Sequence, residues 1–156
     1  MAEWTSVAVQ TVNPGESIVF TENPDRCERG LVRSRDGSGN FLLSGWVPNR
    51  CGCRCACRDK SAKYSVDFGA NIAIPTGGTV GEISVAFALD GGTLQETVMR
   101  VTPAAVEEYF NVSRAAGVSV WRGCCQTLTI RNTSDQPILV QNANVVFSRT
   151  DLQPTF

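Results

Sequence analysis

Between Ile83 and Leu89 the chain alternates without a break. Ile83, Val85, Phe87 and Leu89 fall on one face, and Ser84, Ala86 and Ala88 on the other. That two-residue period is the signature of a strand. Asp90-Gly91-Gly92 follows as a hairpin-type turn into a further strand at Leu94–Thr102. The same short-period pattern marks strands at Thr5–Val12, Ser17–Thr21, Leu31–Arg35, Phe41–Val47 and Lys63–Ile74. It returns at Gly117–Arg122, Cys125–Asn132, Pro137–Asn142 and Asn144–Arg149. Turn chemistry separates several of these runs: Asn13-Pro14-Gly15, Asp36-Gly37-Ser38-Gly39 and Pro75-Thr76-Gly77-Gly78. Glu22–Arg29, charged and carrying Pro24, reads as a loop. Ala104–Ser113 is ambiguous. Pro103 with Glu107 and Glu108 suits a helix start, but Tyr109–Ser113 is β-rich and is read as a strand.

About ten strands at this spacing, with no long helix, constrain the architecture. Parallel pairing needs crossover segments of a dozen or more residues, usually helical. None is available, so the sheets are expected to be antiparallel. An all-β, two-sheet jelly-roll sandwich fits best, with a generic immunoglobulin-like sandwich as the alternative. The 156 residues suit a single jelly-roll domain over 1–156, large enough to bury a core. One segment breaks the style. Arg50–Ser61, RCGCRCACRDKS, is poor in apolar residues and reads as an inserted loop or protruding hairpin.

Charge narrows the partners. A net charge of −1 gives no global reason to expect nucleic acid. Of the 14 basic residues, 12 are arginine, which suits fixed hydrogen-bonded roles. No run approaches the roughly 20 apolar residues of a membrane helix, so no membrane partner is expected. The opening MAEWTSVAVQTV has neither a basic nor an apolar signal-peptide region. The expectation is synthesis in the cytoplasm without a signal peptide, then residence in a virion or on an extracellular surface after release.

The chain contains no histidine, which removes the commonest general base and the commonest metal ligand. No nucleophile–base–orienter set can be assembled, so no enzymatic activity, catalytic residue or cofactor is expected. Glu107 and Glu108 are adjacent and diverge on a strand. Asp90 lacks the acidic density of a calcium loop. Thr76–Gly81 lacks the Lys-Ser/Thr and helix of a phosphate cradle. Trp4, Trp46 and Trp121 are read as core or interface packing, although Trp46 and Trp121 are the two aromatics that would suit a ligand platform.

The seven cysteines carry the remaining chemistry: Cys27, Cys51, Cys53, Cys55, Cys57, Cys124 and Cys125. An odd number leaves one thiol unpaired or paired between chains. Residues i and i+2 on a strand lie roughly 6.6 Å apart, near the upper limit for a disulfide. The C-x-C-x-C-x-C run Cys51–Cys57 therefore leaves three readings open: an exposed reduced loop, a disulfide staple within or between subunits, and a thiolate metal site. All seven are cross-link candidates, and Cys51, Cys53, Cys55 and Cys57 are the thiolate candidates. Arg50, Arg54, Arg58 and Lys60, with Lys63 beyond, surround the run. They would favour the thiolate form, and the first four are candidates for docking on an anionic partner. At Cys124-Cys125 opposite strand faces put one thiol inward and the other at an exposed or interfacial position.

Four blocks resemble a known group: MAEWTSVAVQTV, PTGGTVGEISVAFALDGG, VTPAAVEEYFNVS and VWRGCCQTLTIRNTSDQPILVQNANVVFSR. They are similar to small proteins of Firmicutes and their phages. In overall pattern these look like the tumour-necrosis-factor/complement globular-head jelly roll, which also ends collagen-like exosporium proteins. The shared features are the strand and turn Gly81–Gly91, a strand near Leu128–Asn132 and a closing strand Asn142–Arg149. The resemblance covers nearly the whole chain except roughly Arg50–Lys60, where the group is shorter and poorer in cysteine. It implies a compact homotrimer with flat sheet faces packed around a threefold axis, and no catalytic site. The chain lacks a collagen stalk. The function that follows is a non-enzymatic structural virion protein, a capsid decoration or head-fibre subunit contacting capsid protein or neighbouring subunits. Ala86, Ala88 and Ala143 are expected on outer faces, where they would permit close subunit packing. The alternatives are a self-assembling bacterial surface or spore-appendage subunit locked by disulfides, and a glycan- or host-binding module.

Overall fold

The computed structural model describes residues 1–25, 30–35, 38–48 and 60–152, with Arg35 and Cys124 described by their backbone only. Twelve strands are present among them: β1 (Ala2–Ser6), β2 (Gln10–Val12), β3 (Glu22–Asp25), β4 (Val32–Arg35), β5 (Asn40–Gly45), β6 (Ser61–Ala73), β7 (Ile83–Leu89), β8 (Gly92–Thr93), β9 (Met99–Val101), β10 (Phe110–Trp121), β11 (Gly123–Asn132) and β12 (Ile138–Arg149). They form two sheets. One runs β10-β6-β12-β1-β3, with β2 also on β12; the other runs β4-β5-β11-β7-β8, with β9 also on β7. The observed pairings are antiparallel, as the lack of crossover segments requires.

The inner faces follow from alternation. On β6, Ala62, Tyr64, Val66, Phe68, Ala70 and Ile72 are buried, while Lys63 and Asp67 are exposed. An aromatic cluster joins the two sheets. The Phe41 ring lies 5.0 Å from Trp4, 5.5 Å from Phe20 and 4.9 Å from Phe147, in tilted arrangements that favour edge contacts. Phe68 and Phe87 meet edge to face at 6.3 Å across the core.

Several local expectations change. Thr5–Val12 is interrupted, giving β1 and β2. Ser17–Thr21 is not a regular strand. Ser17 makes one isolated bridge to Arg131, and Ile18 and Phe20 are buried. Glu22–Asp25, read as a loop, is instead β3, and Pro24 is tolerated because β3 lies at a sheet edge. Leu94–Thr102 gives a 3-10 turn, Gln95–Thr97, and the short β9. The Thr97 hydroxyl explains the detour: it accepts from the Phe87 amide at 3.0 Å and donates to the Leu94 carbonyl at 2.6 Å. The two strands expected at Tyr109–Ser113 and Gly117–Arg122 are one continuous β10.

β12 likewise joins two expected strands, through a bulge between Gln141 and Asn144. Asn142 takes φ 54°, which asparagine tolerates better than most residues. The extra residue changes the phase of burial from Ile138 and Val140 to Ala143, Val145 and Phe147. Ala143 therefore points into the core rather than outward. Ala86 and Ala88 are also buried within the chain. Ala86 stands opposite Arg131, and Ala88 between Thr129 and Thr93, so larger cross-strand neighbours overtop these methyl groups. None of the three alanines is open to a neighbouring subunit.

Candidate functional site

At one end of the sandwich the chain is forced into close contact. Gly45, the last residue of β5, lies against the corner where β10 gives way to β11. A Cβ at Gly45 would come within 1.9 Å of the Trp121 carbonyl oxygen and 3.0 Å of the Gly123 backbone. Only glycine fits, because the obstructing atoms are backbone. The contact places Trp46, next after Gly45, at the end of the molecule that holds Trp121. Both are exposed, Trp46 at 53% and Trp121 at 67%. Trp4 is core. Trp4 thus packs in the core, and Trp46 and Trp121 stand at the surface, open to an interface or a ligand.

The corner is braced by side chains. Gln126 Oε1 accepts from the Trp121 amide at 2.9 Å, and its Nε2 donates to Asp90 Oδ2 at 2.8 Å. Asp90 Oδ1 accepts from the Thr127 amide at 2.8 Å. Hydrogen bonds from Gln126 and then Thr127 hold the Asp90 carboxyl below its ordinary range. Asp90 and Gly91, at φ 49° and 85°, form the two-residue turn between β7 and β8. The acidic turn residue is therefore a brace for the corner. Below Trp46, the Tyr64 hydroxyl donates to the Ser44 carbonyl at 2.6 Å, and the Arg149 guanidinium lies 5.3 Å from the Tyr64 ring centre.

Cationic and thiol groups share this end. Lys60 and Arg122 are exposed and joined through backbone, the Arg122 amide donating to the Lys60 carbonyl at 2.9 Å. Cys125 is exposed, at an irregularity where β11 inserts an extra residue between Gly123 and Gln126. This agrees with an outward thiol in the Cys124-Cys125 pair. Cys27, Cys51, Cys53, Cys55, Cys57, Arg50, Arg54 and Arg58 lie outside the described residues. Of the four expected docking cations, Lys60 is thus the one whose position is described. Pro48 and Lys60, which bracket residues 49–59, follow Trp46 and precede β6. No three potential metal ligands gather among the described residues.

A second feature was not anticipated from sequence. A groove of about 500 Å³ is lined by Glu82, Ser84, Arg100, Arg131, Thr133 and Ser134, among others. Arg131 Nη1 donates to the Gly91 carbonyl at 3.2 Å. Ser84 and Thr133 hydroxyls share a 2.6 Å hydrogen bond, and Arg100 lies 3.7 Å from Glu82. The lining is polar and carries charges of both signs. Its hint in the sequence is the polar run Arg131–Ser134.

The close approach at Gly45 has a direct consequence. Gly45→Ala should cost about 1–3 kcal/mol as an overpacking substitution, a fall in Tm of roughly 2–12 °C for a chain of this size. It should also raise acrylamide quenching of tryptophan as the corner opens. An unchanged melting curve would show that β5 and the corner do not meet as described.

No family model matches the chain, and no curated protein matches it in sequence. Solved structures do resemble it in fold. The globular domain of zebrafish complement 1qA protein aligns over 93% of this chain and 94% of its own, at 7% identity and TM-score 0.51. The EclA C-terminal domain, a sugar-binding protein, aligns over 92% and 79% at 11% identity and TM-score 0.40. The CBM22-1 xylan-binding domain from Paenibacillus barcinonensis aligns over 95% and 86% at 9% identity and TM-score 0.34. The first of these likenesses agrees with the jelly roll that the alternation pattern predicts.

Proposed function

We propose that the protein is a non-enzymatic assembly subunit, a virion component that associates as a homotrimer and docks through its tryptophan end. The observation that carries this reading is the exposure of Trp46 and Trp121 at the end that also presents Lys60, Arg122 and Cys125. Tryptophan and arginine dominate the energetic centres of protein interfaces. Two indoles held in solvent by an obligatory glycine contact are poor economy for an isolated domain and good design for an anchor. Supporting the trimer are the outward positions of β6, which include Ser65, Gly69 and Asn71. Small side chains there let a neighbouring sheet approach closely. The absence of histidine from the sequence supports a structural rather than catalytic role.

The test is to purify particles from a lysing producer culture and quantify the protein in them, wild type against a Trp46→Ser/Trp121→Ser double variant. Each lost anchor should cost about 2 kcal/mol, roughly 30-fold in affinity, so the double variant should be largely absent from particles while melting like wild type. Equal incorporation of the two proteins would remove the anchor role, and absence of the wild type from particles would remove the virion role. The same indoles also favour a second reading, a glycan- or host-binding module, because an indole face can pack on an apolar ligand surface. Glycan-array binding that disappears in the double variant would select that reading.

A further inference from the structure

We propose that the outer edge of β10 is a strand-addition site whose occupant is β10 of a second copy of this chain, paired antiparallel about a twofold axis through Ala115. Among the described residues β10 is the terminal strand of its sheet and pairs only with β6, on its inner side. The direction of its backbone groups can be read from both ends of the β6–β10 pair. The Arg122 amide donates to the Lys60 carbonyl across the register shared with β6, so even-numbered residues of β10 bond inward. The Trp121 amide instead donates to Gln126 Oε1, away from β6. The Lys63 carbonyl, opposite Ser119, accepts from the Thr150 amide on the far side of β6. Odd-numbered residues therefore face outward.

That leaves Asn111, Ser113, Ala115, Gly117 and Ser119 with outward amides and carbonyls. No backbone partner occupies them among the described residues. The run has no proline, no lysine and no bulge in its pairing with β6, and Arg114 is its single charge. The Trp121 corner ends the open ladder on one side, so the free run is centred on Ala115.

Self-pairing fits this run. A twofold axis at Ala115 sets Asn111 against Ser119 and Ser113 against Gly117, and sets Arg114, the one charged residue of β10, against Ala116. No charge then directly opposes itself. The opposite edge of the sheet among the described residues, β3 (Glu22–Asp25), carries Pro24. Addition there is blocked, so pairing through β10 closes as a pair instead of propagating.

The edge pairing is independent of the trimer proposed above and would join two such trimers. The test is the molar mass in solution, under reductant, of wild type, Ala115→Lys, Ala115→Glu and an equimolar mixture of the variants. Ala115 is exposed, so either substitution leaves the core untouched, and circular dichroism checks the fold. Each variant places like charges face to face at the axis and should have half the wild-type mass, and the mixture should regain it. If the trimer holds, the change is from six chains to three; if it does not, from two to one. Equal masses for all samples would overturn the pairing whatever the trimer does. Hydrogen exchange gives a second reading: the Ser113, Ala115 and Gly117 amides should be protected in wild type and lose protection in each variant. Free exchange of these amides in wild type would also overturn it.

Discussion

Phe41→Ala should lower the melting temperature by roughly 6–20 °C. Phe41 is fully buried, and its ring touches Trp4, Phe20 and Phe147, which come from the first strand, the β2–β3 connection and the last strand. Removing a buried phenylalanine costs about 3–5 kcal/mol, because the lost transfer energy adds to the cavity left behind. A chain of this size loses about 2–4 °C per kcal/mol. Differential scanning calorimetry reads the shift, and Phe41→Leu should recover much of it by refilling the space. A fall of less than 2 °C would mean that the two sheets do not close on Phe41.

The second large effect is expected at the other end of the tyrosine contact. The Arg149 side chain is 1% exposed and is paired with Asp151, whose side chain is 16% exposed; Nη2 to Oδ2 is 3.1 Å. Burial pushes the Asp151 carboxyl up, but the hydrogen bonds and charge of Arg149 outweigh it and hold the carboxyl below its ordinary range. Asp151→Ala should cost about 3–5 kcal/mol, since it removes the carboxylate that pairs with a buried guanidinium. Adding Arg149→Met should restore part of the loss, because neither charge then remains buried. The sign of the pH dependence follows from the depressed carboxyl. Its contribution is fully present above the unfolded value of about 4 and is lost as pH falls through the lower folded value. Urea titrations at pH 7 and pH 3 should show wild type losing stability on acidification, and Asp151→Ala losing less. Parallel losses in the two proteins would remove Asp151 from this role.

The same pair reaches the candidate site. Arg149 lies over Tyr64, and Tyr64 holds the Ser44 carbonyl one residue before Gly45. The tryptophan end is thus supported from the core through Tyr64, which gives the exposed anchors a rigid base.

Local pattern carried the architecture where burial is one-sided and uninterrupted. β6 and the turn Asp90-Gly91 appear essentially as alternation and turn chemistry predict. It failed where a single residue changes phase. The Asn142 bulge makes one strand look like two, because the buried set shifts from even to odd positions. β10 looked broken because Arg114, Ala115 and Ala116 interrupt its apolar pattern at the open edge. The end site was half legible. The charged loop predicts an accessible Lys60 and the Cys124-Cys125 pair predicts one outward thiol, without saying which; Lys60 and Cys125 are exposed. What no pattern carries is the exposure of Trp46 and Trp121 beside the burial of Trp4. That distinction is made by Gly45 meeting the Trp121 carbonyl, a contact between positions remote in sequence. The groove around Arg131 and Glu82 is likewise assembled from separate strands.

The most direct test of an assembly subunit is the molar mass of the reduced protein by sedimentation equilibrium at micromolar concentration. The account predicts a multiple of three times the 16.8 kDa chain mass, stable across loading concentrations. A single species of 16.8 kDa at every concentration would contradict it.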